Sequence, residues 1–351
     1  LLSSTIPGYT GYTHLMENVG QTSNRGVELS LTGYIMDRPD FTLNATFNIG
    51  RNKNKIDKLA SGEKEMVLSS GWAGSQLLNS DDYRAYVGGT TGLIYGFVND
   101  GFYTVDDFKP FDSKSRTWTL KDGVVNSSPL SGDPRPGNAK FKKLTPVDEN
   151  SANPYTLTDD DRTVIGNTTP KFSGGFGLNA TFKGFDVSAF FNFMYDFDVF
   201  NANKVMMTTW ASNNYNNFSM DISAAKRWRN FDDMGNEIRY SPEILAEFNK
   251  NATMWNPTSI GRPIAMSYAV EDGSFLRLNT ATIGYTLPRA WTNKVGLSRV
   301  RFYASGYNLF TITGYSGYDP EVDIATGLTP NIDNNRYPRS RTYTFGVQLT
   351  F

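Results

Sequence analysis

The chain has 351 residues, a formal net charge of −1, no cysteine and a single histidine, His14. The missing thiols exclude disulfides, thiolate metal sites and cysteine catalysis, and one histidine argues against Ser-His-Asp chemistry and multi-histidine metal sites, so no enzyme is expected. The balanced charge shows no electrostatic footprint for nucleic acid.

Leu1 to Thr5 reads as the tail of a strand. Asn24 to Ile35 reads as a full one, with Val27, Leu29 and Leu31 on one face and Glu28, Ser30 and Thr32 on the other. Asp37-Arg38-Pro39-Asp40 is a turn, because proline fixes φ and cannot serve a central ladder. Phe41, Leu43, Ala45, Phe47 and Ile49 then alternate with polar residues, which makes a hairpin. Arg51 to Ser80 is polar and predicts a long loop. Two shorter strands, Asp82 to Val87 and Leu93 to Val98, flank a Gly-rich turn, and a second long loop runs from Asn99 to about Thr169.

The next hairpin has the plainest pattern. Phe172, Gly174, Phe176, Leu178, Ala180 and Phe182 share a face, Lys183-Gly184 turns the chain, and Phe185, Val187, Ala189, Phe191 and Phe193 return on that face. Asp186, Ser188 and Asn192 fall opposite, although Phe190 and Met194 interrupt that polar face. Residues 200–270 form a third long loop with short helices expected at 224–230 and 242–249. Strands follow at Ser274 to Leu287 and Ser298 to Phe310, then a fourth long loop at Thr313 to Arg339, then a last strand ending on Phe351.

Short and long connections therefore take turns. With Phe351 in the periplasm, every short turn falls on that side and every long loop outside. Aromatic residues reach 14 %, with 19 Tyr and 24 Phe, as a barrel with aromatic girdles needs. No stretch approaches the ~18 apolar residues of a spanning helix, and the mean hydropathy of −0.43 suits strands that show lipid only every second residue. The expectation is an all-β transmembrane antiparallel β-barrel, this chain supplying nine or ten strands. The first residues carry no secretory signal pattern, so the chain is expected to be processed or incomplete. The rival is a soluble or secreted β-rich glycan-binding module. A detergent requirement, or aromatic girdles at two heights, separates the two.

Candidate contact residues follow from the same pattern. Trp210, Tyr215, Trp228 and Trp255 sit in one Asn-rich loop, where aromatic faces either stack on sugar rings or pack loop on loop. Arg299, Arg301, Tyr303 and Tyr307 share one strand face, opposite Val300, Phe302 and Ala304, which assigns the two cations to the lumen.

Several stretches resemble one family when taken together in order. They include Asn24-Arg25-Gly26-Val27-Glu28-Leu29, Gly92-Leu93-Ile94-Tyr95-Gly96-Phe97, and Asp161-Arg162-Thr163-Val164-Ile165-Gly166-Asn167. They continue with Pro170-Lys171-Phe172-Ser173-Gly174, Glu271-Asp272-Gly273-Ser274-Phe275-Leu276-Arg277-Leu278, Tyr318-Asp319-Pro320-Glu321-Val322, and Tyr337-Pro338-Arg339 through to Phe351. The chain resembles the C-terminal part of the SusC/RagA family of TonB-dependent outer-membrane transporters. The resemblance implies a barrel of about 22 strands with a plugged lumen, of which this chain lacks the plug and the N-terminal strands. It implies a SusD-like surface lipoprotein as lid, a TonB complex acting through the plug, and oligosaccharide or oligopeptide cargo. On this reading Arg299 and Arg301 either pair with plug carboxylates or touch an anionic substrate. The family often carries a calcium-loop-like run where Asp148 to Asp161 stands. Asp148, Asn150 and Asp161 fit its ligand positions, but Ala152-Asn153 replaces the next acid and the turn glycine, so a solvated acidic loop is the alternative to calcium. No other cofactor is expected.

Overall fold

The computed structural model describes the chain apart from residues 1, 6–8, 10, 12–13, 18–19, 60–61, 80, 210–216 and 323–326. Its largest element is a seven-stranded antiparallel sheet, the wall. In chain order the wall strands are β1 (Gln21–Arg38), β2 (Phe41–Lys58), β3 (Phe172–Phe182), β4 (Phe185–Tyr195), β5 (Phe275–Thr286), β6 (Arg299–Thr313) and β7 (Thr342–Thr350). Each pairs with its neighbour in sequence, so the wall is an uninterrupted meander. Both β1 and β7 are edges, and no pairing joins them.

The register turns the period-two sequence pattern into rows across the strands. On one face, Leu31, Phe47, Phe176, Phe191, Leu278 and Phe310 lie side by side. Further toward the short turns run Ala45, Leu178, Ala189 and Ala281, and then Phe41, Phe182, Phe185, Tyr285 and Phe302. Two aromatic rows thus flank a band of smaller residues. Ring pairs bind each row laterally: Phe176 to Phe191 at 4.6 Å and Phe185 to Tyr285 at 4.5 Å between centroids. At about 3.3 Å per residue, the aromatic rows stand about 20 Å apart along a strand.

The opposite face is polar. Asn44, Asn179, Ser188, Thr282, Ser305 and Thr344 form one row. Several of these bond across strands, Asn179 Nδ2 donating to Asn44 Oδ1 at 3.1 Å and the Thr282 and Ser305 hydroxyls meeting at 2.8 Å. Where Asn279 is inserted in β5 the register shifts against both β4 and β6, which restores the apolar row above it.

Turn chemistry explains the short connections. Lys183 and Gly184 both have positive φ, 45° and 90°, the left-handed pair that matches a hairpin's twist. The strands β1 and β2 are each 18 residues long, well beyond the 9–11 or so that cross a bilayer. Their far halves pair through Asn52, Lys53, Asn54 and Lys55, part of the stretch expected to be loop. No apolar alternation marks this part, because both its faces are polar. Ile56 then exchanges backbone hydrogen bonds with Gly88 and Gly89, clasping the hairpin to the segments above.

Those segments are not open loops. They form a body with its own core, in which Trp72, Tyr83, Ile94, Phe97, Phe141, Phe200, Trp255, Ile260 and Met266 are buried together. The strands expected at 82–87 and 93–98 exist as Tyr83–Tyr86 and Leu93–Gly96, but they belong to a separate four-stranded sheet in this body. Leu93 to Gly96 is buried on both faces, which no wall strand is. Leu2–Thr5 is also a strand, paired with His14–Glu17 rather than with the wall. A helix occupies Pro242–Phe248 as expected. Residues 224–230 instead run as a turn into a bridge, Trp228 N donating to Met254 O at 2.8 Å. Among the described residues no helix is long and apolar enough to cross a membrane, which says nothing of crossing by strands.

Candidate functional site

The polar face of the wall and the body attached to one end of it hold the chain's organised charge. Asp186 on β4 and Arg301 on β6 meet across the strand between them. Arg301 Nε donates to Asp186 Oδ1 at 2.9 Å, and Nη2 closes a second bond to Oδ2. The strand between carries Gly284 here, and a Cβ at that position would lie 2.5 Å from Arg301 Nη2 and 2.6 Å from Asp186 Oδ1. The glycine is what lets a bidentate pair span two strand spacings. Arg301 therefore finds its carboxylate on the wall itself. Arg299, two residues nearer the short turns, is exposed.

A second knot ties the body to the wall. Arg277 of β5 is buried, and its Nη2 reaches Asp319 Oδ1 at 2.5 Å and Glu321 Oε2 at 3.4 Å. Arg339 adds a 3.0 Å bond to Glu321 and donates its backbone N–H to Asp319. Both ends of the segment between β6 and β7 are thereby fastened to one wall arginine. Nearby, Glu271 accepts from Ser316 N at 2.9 Å and Ser316 Oγ at 2.8 Å and pairs with Lys204 at 3.3 Å. Burial raises the Glu271 pKa, but the Ser316 bonds and Lys204 outweigh it and hold the group below its ordinary value. Tyr315 donates to Asp333 at 2.7 Å, and burial together with that carboxylate pushes the phenol up.

Trp228 and Trp255 lie inside the body. Trp228 packs on Phe102 and fills the space that a Cβ on Gly137 would need, and Trp255 meets Tyr268 edge to face at 4.8 Å. Their ring faces are taken by protein. Trp210 and Tyr215 lie outside the described residues.

Asp161 is not a solvated loop acid. It is fully buried. Its Oδ1 accepts from Leu144 N, Thr145 N and Thr145 Oγ1 at 2.9, 2.8 and 2.7 Å. Its Oδ2 accepts from Thr158 N at 2.8 Å and faces Lys143 at 3.3 Å. Burial alone would raise its pKa, yet the bonds from Thr145, Thr158 and Leu144 bring it down to about 2. Asp148 is exposed and accepts from Asn150 N at 3.0 Å, closing a local turn. A carboxylate whose oxygens are filled by N–H and O–H donors is a poor cation ligand, so these residues do not fit a calcium site. Among the described residues no group of three or more acidic or histidine side chains is placed to hold a metal.

Sequence reasoning placed Asp186 and Arg301 on the polar face but missed their pairing, which needs the strand register. It missed the Arg277 knot for the same reason, since Asp319 and Glu321 lie on a different segment.

Known proteins are similar to this chain along its whole length. TonB-dependent receptor P3 of Formosa agariphila is 30 % identical over 357 residues, covering 100 % of this chain and 31 % of the relative. TonB-dependent receptor SusC of Bacteroides thetaiotaomicron is 24 % identical over 359 residues, again covering 100 % of this chain. Along its whole length the chain is similar to TonB-dependent receptors, SusC among them. No protein-family profile matches it. Among solved structures, the RagAB peptide importer in its "closed-closed" state superposes with a TM-score of 0.64 at 24 % identity, covering 99 % of this chain and 31 % of that one. That likeness establishes the fold: the wall is an arc of a transmembrane antiparallel β-barrel. The chain spans 31 % of the length of TonB-dependent receptor P3 and 29 % of SusC.

Proposed function

We propose that the chain is the C-terminal part of an outer-membrane, TonB-dependent importer of oligosaccharides or oligopeptides. Its wall forms one side of the channel. Its body, on the extracellular side, forms part of the docking surface for a SusD-like lipoprotein lid. Plug, TonB contact and the remaining strands belong to the rest of the protein, and the chain itself carries out no bond chemistry.

One observation carries this reading. The wall's apolar face has aromatic rows at two heights with small residues between them, while the other face is mostly polar, interrupted at Phe190 and Met194. A soluble sandwich would cover such an apolar face with a second sheet. Here Val187, Ile283 and Phe345 are 46 %, 53 % and 80 % exposed. Lipid is the solvent that suits them.

Topology tests the reading. Protease added to intact cells lacking the lid should cut within 99–171, 196–274 or 314–341, and the lid should protect some of these sites. Cleavage at Pro39-Asp40 or Lys183-Gly184 instead would invert the orientation and remove the basis for a lid on the body.

A further inference from the structure

Away from the wall, the body holds a cleft of about 730 Å³ lined by Arg116, Trp118, Arg135, Arg239 and Tyr240. Its aromatic faces are already engaged. Trp118 lies against Phe108 and Phe111 at 5.4 and 4.8 Å. Tyr240 stacks with Phe111 at 6.1 Å and carries the Arg116 and Arg239 guanidiniums at 5.4 and 5.6 Å from its ring. Arg239 has an ion-pair partner in Glu237. Arg116 and Arg135 are exposed and, among the described residues, have none. Asp133 is the sole carboxylate among the cleft's lining residues.

Both of these arginines without an ion-pair partner stand on restrained backbone. Arg116 has φ +55°, a left-handed conformation uncommon for a side chain of its size. It is held there by a tight turn in which Asp112 accepts from Lys114 N at 2.9 Å and Ser115 Oγ at 2.7 Å. Arg135 lies between Pro134 and Pro136, whose rings fix φ on either side of it. Their backbones are set before a ligand arrives, so less ordering entropy is lost on binding.

We propose that this cleft binds an acidic peptide, with its carboxylates held by the guanidinium forks of Arg116 and Arg135. A planar fork matches a carboxylate through two parallel bonds. The rings of Trp118 and Tyr240 are already in contact with Phe108, Phe111 and two guanidiniums, which leaves less ring surface for a sugar to stack on and favours peptide over glycan. The proposal names a substrate class for the import reading and rests on it only in placing the cleft on the outer side of the membrane.

The test uses the complete transporter in detergent and a fluorescein-labelled tetraglutamate, followed by anisotropy at low ionic strength, with tetraglutamine as the uncharged control. Tetraglutamate should bind about tenfold more tightly than tetraglutamine. The R116Q/R135Q double variant should lose that margin, and added salt should weaken it. If R116Q relaxes its turn, R135Q alone still decides, because the prolines hold that backbone. Equal affinity for the two peptides, or an unchanged margin in R135Q, overturns the proposal, as two merely solvated arginines would give either result. Displacement by trigalacturonate at lower concentration than by unlabelled tetraglutamate would assign the cleft to acidic glycan and also overturn it. Binding in detergent needs neither TonB nor a lid, so its failure leaves the import reading standing. Loss of uptake with binding intact would strike the import reading alone.

Discussion

Single buried charges decide how the body holds its shape. Asp161 has a folded pKa of about 2 against an ordinary 3.8, so ionisation favours the folded state. The group's contribution, about 2 kcal/mol, is complete above pH of about 4 and is lost as pH falls toward 2. Amide exchange at Leu144, Thr145 and Thr158 should therefore accelerate across that window. In Asp161→Asn these amides should exchange faster at neutral pH, and the acid step should vanish. An unchanged acid step in the variant would show that another group is responsible. Arg277 makes the opposite kind of test. Arg277→Leu strands Asp319 and Glu321 without their buried cation and should cost about 3–5 kcal/mol, visible as a lowered unfolding midpoint and as faster proteolysis in 314–341 than in the unmodified protein.

At the scale of strands, alternation does most of the work and sets what the sequence reveals. Strands β3 to β7 were legible because each has a lipid face and a water face, so Phe176, Leu178 and Ala180 announce their side without any structure. The far half of β2 was not legible, since Asn52 to Lys55 pairs by backbone alone and both its faces are polar. Tyr83 to Tyr86 and Leu93 to Gly96 were legible as strands but not as members of the body, because burial on both faces depends on partners distant in sequence. Trp228 and Trp255 show the same limit: an aromatic in an Asn-rich loop reads alike whether it packs inward or faces a ligand. The lipid face can be tested at one position. Val187→Arg places a charge in the small-residue band between the aromatic rows and should cost about 2–4 kcal/mol, whereas Ser188→Arg on the polar face should cost far less. Equal costs in refolding titrations would mean that the two faces are not in different solvents.

For the whole molecule, the wall is an open arc whose edges, β1 and β7, have backbone groups left to pair, and hydrocarbon does not tolerate such groups unpaired. The arc accordingly needs the rest of the barrel, and the short–long rhythm of its connections puts the whole body at one end. The most direct test exploits the absence of cysteine from this chain. Single cysteines at Val187, Ile283 and Phe345, and at their neighbours Ser188, Thr282 and Thr344, can be spin-labelled in the complete protein in lipid nanodiscs, with any other cysteine removed. The account predicts that labels at the first three positions relax with dissolved oxygen and are shielded from a water-soluble nickel chelate, while labels at the second three lack that lipid signature. Equal access of the nickel chelate to all six positions would contradict a lipid-facing wall.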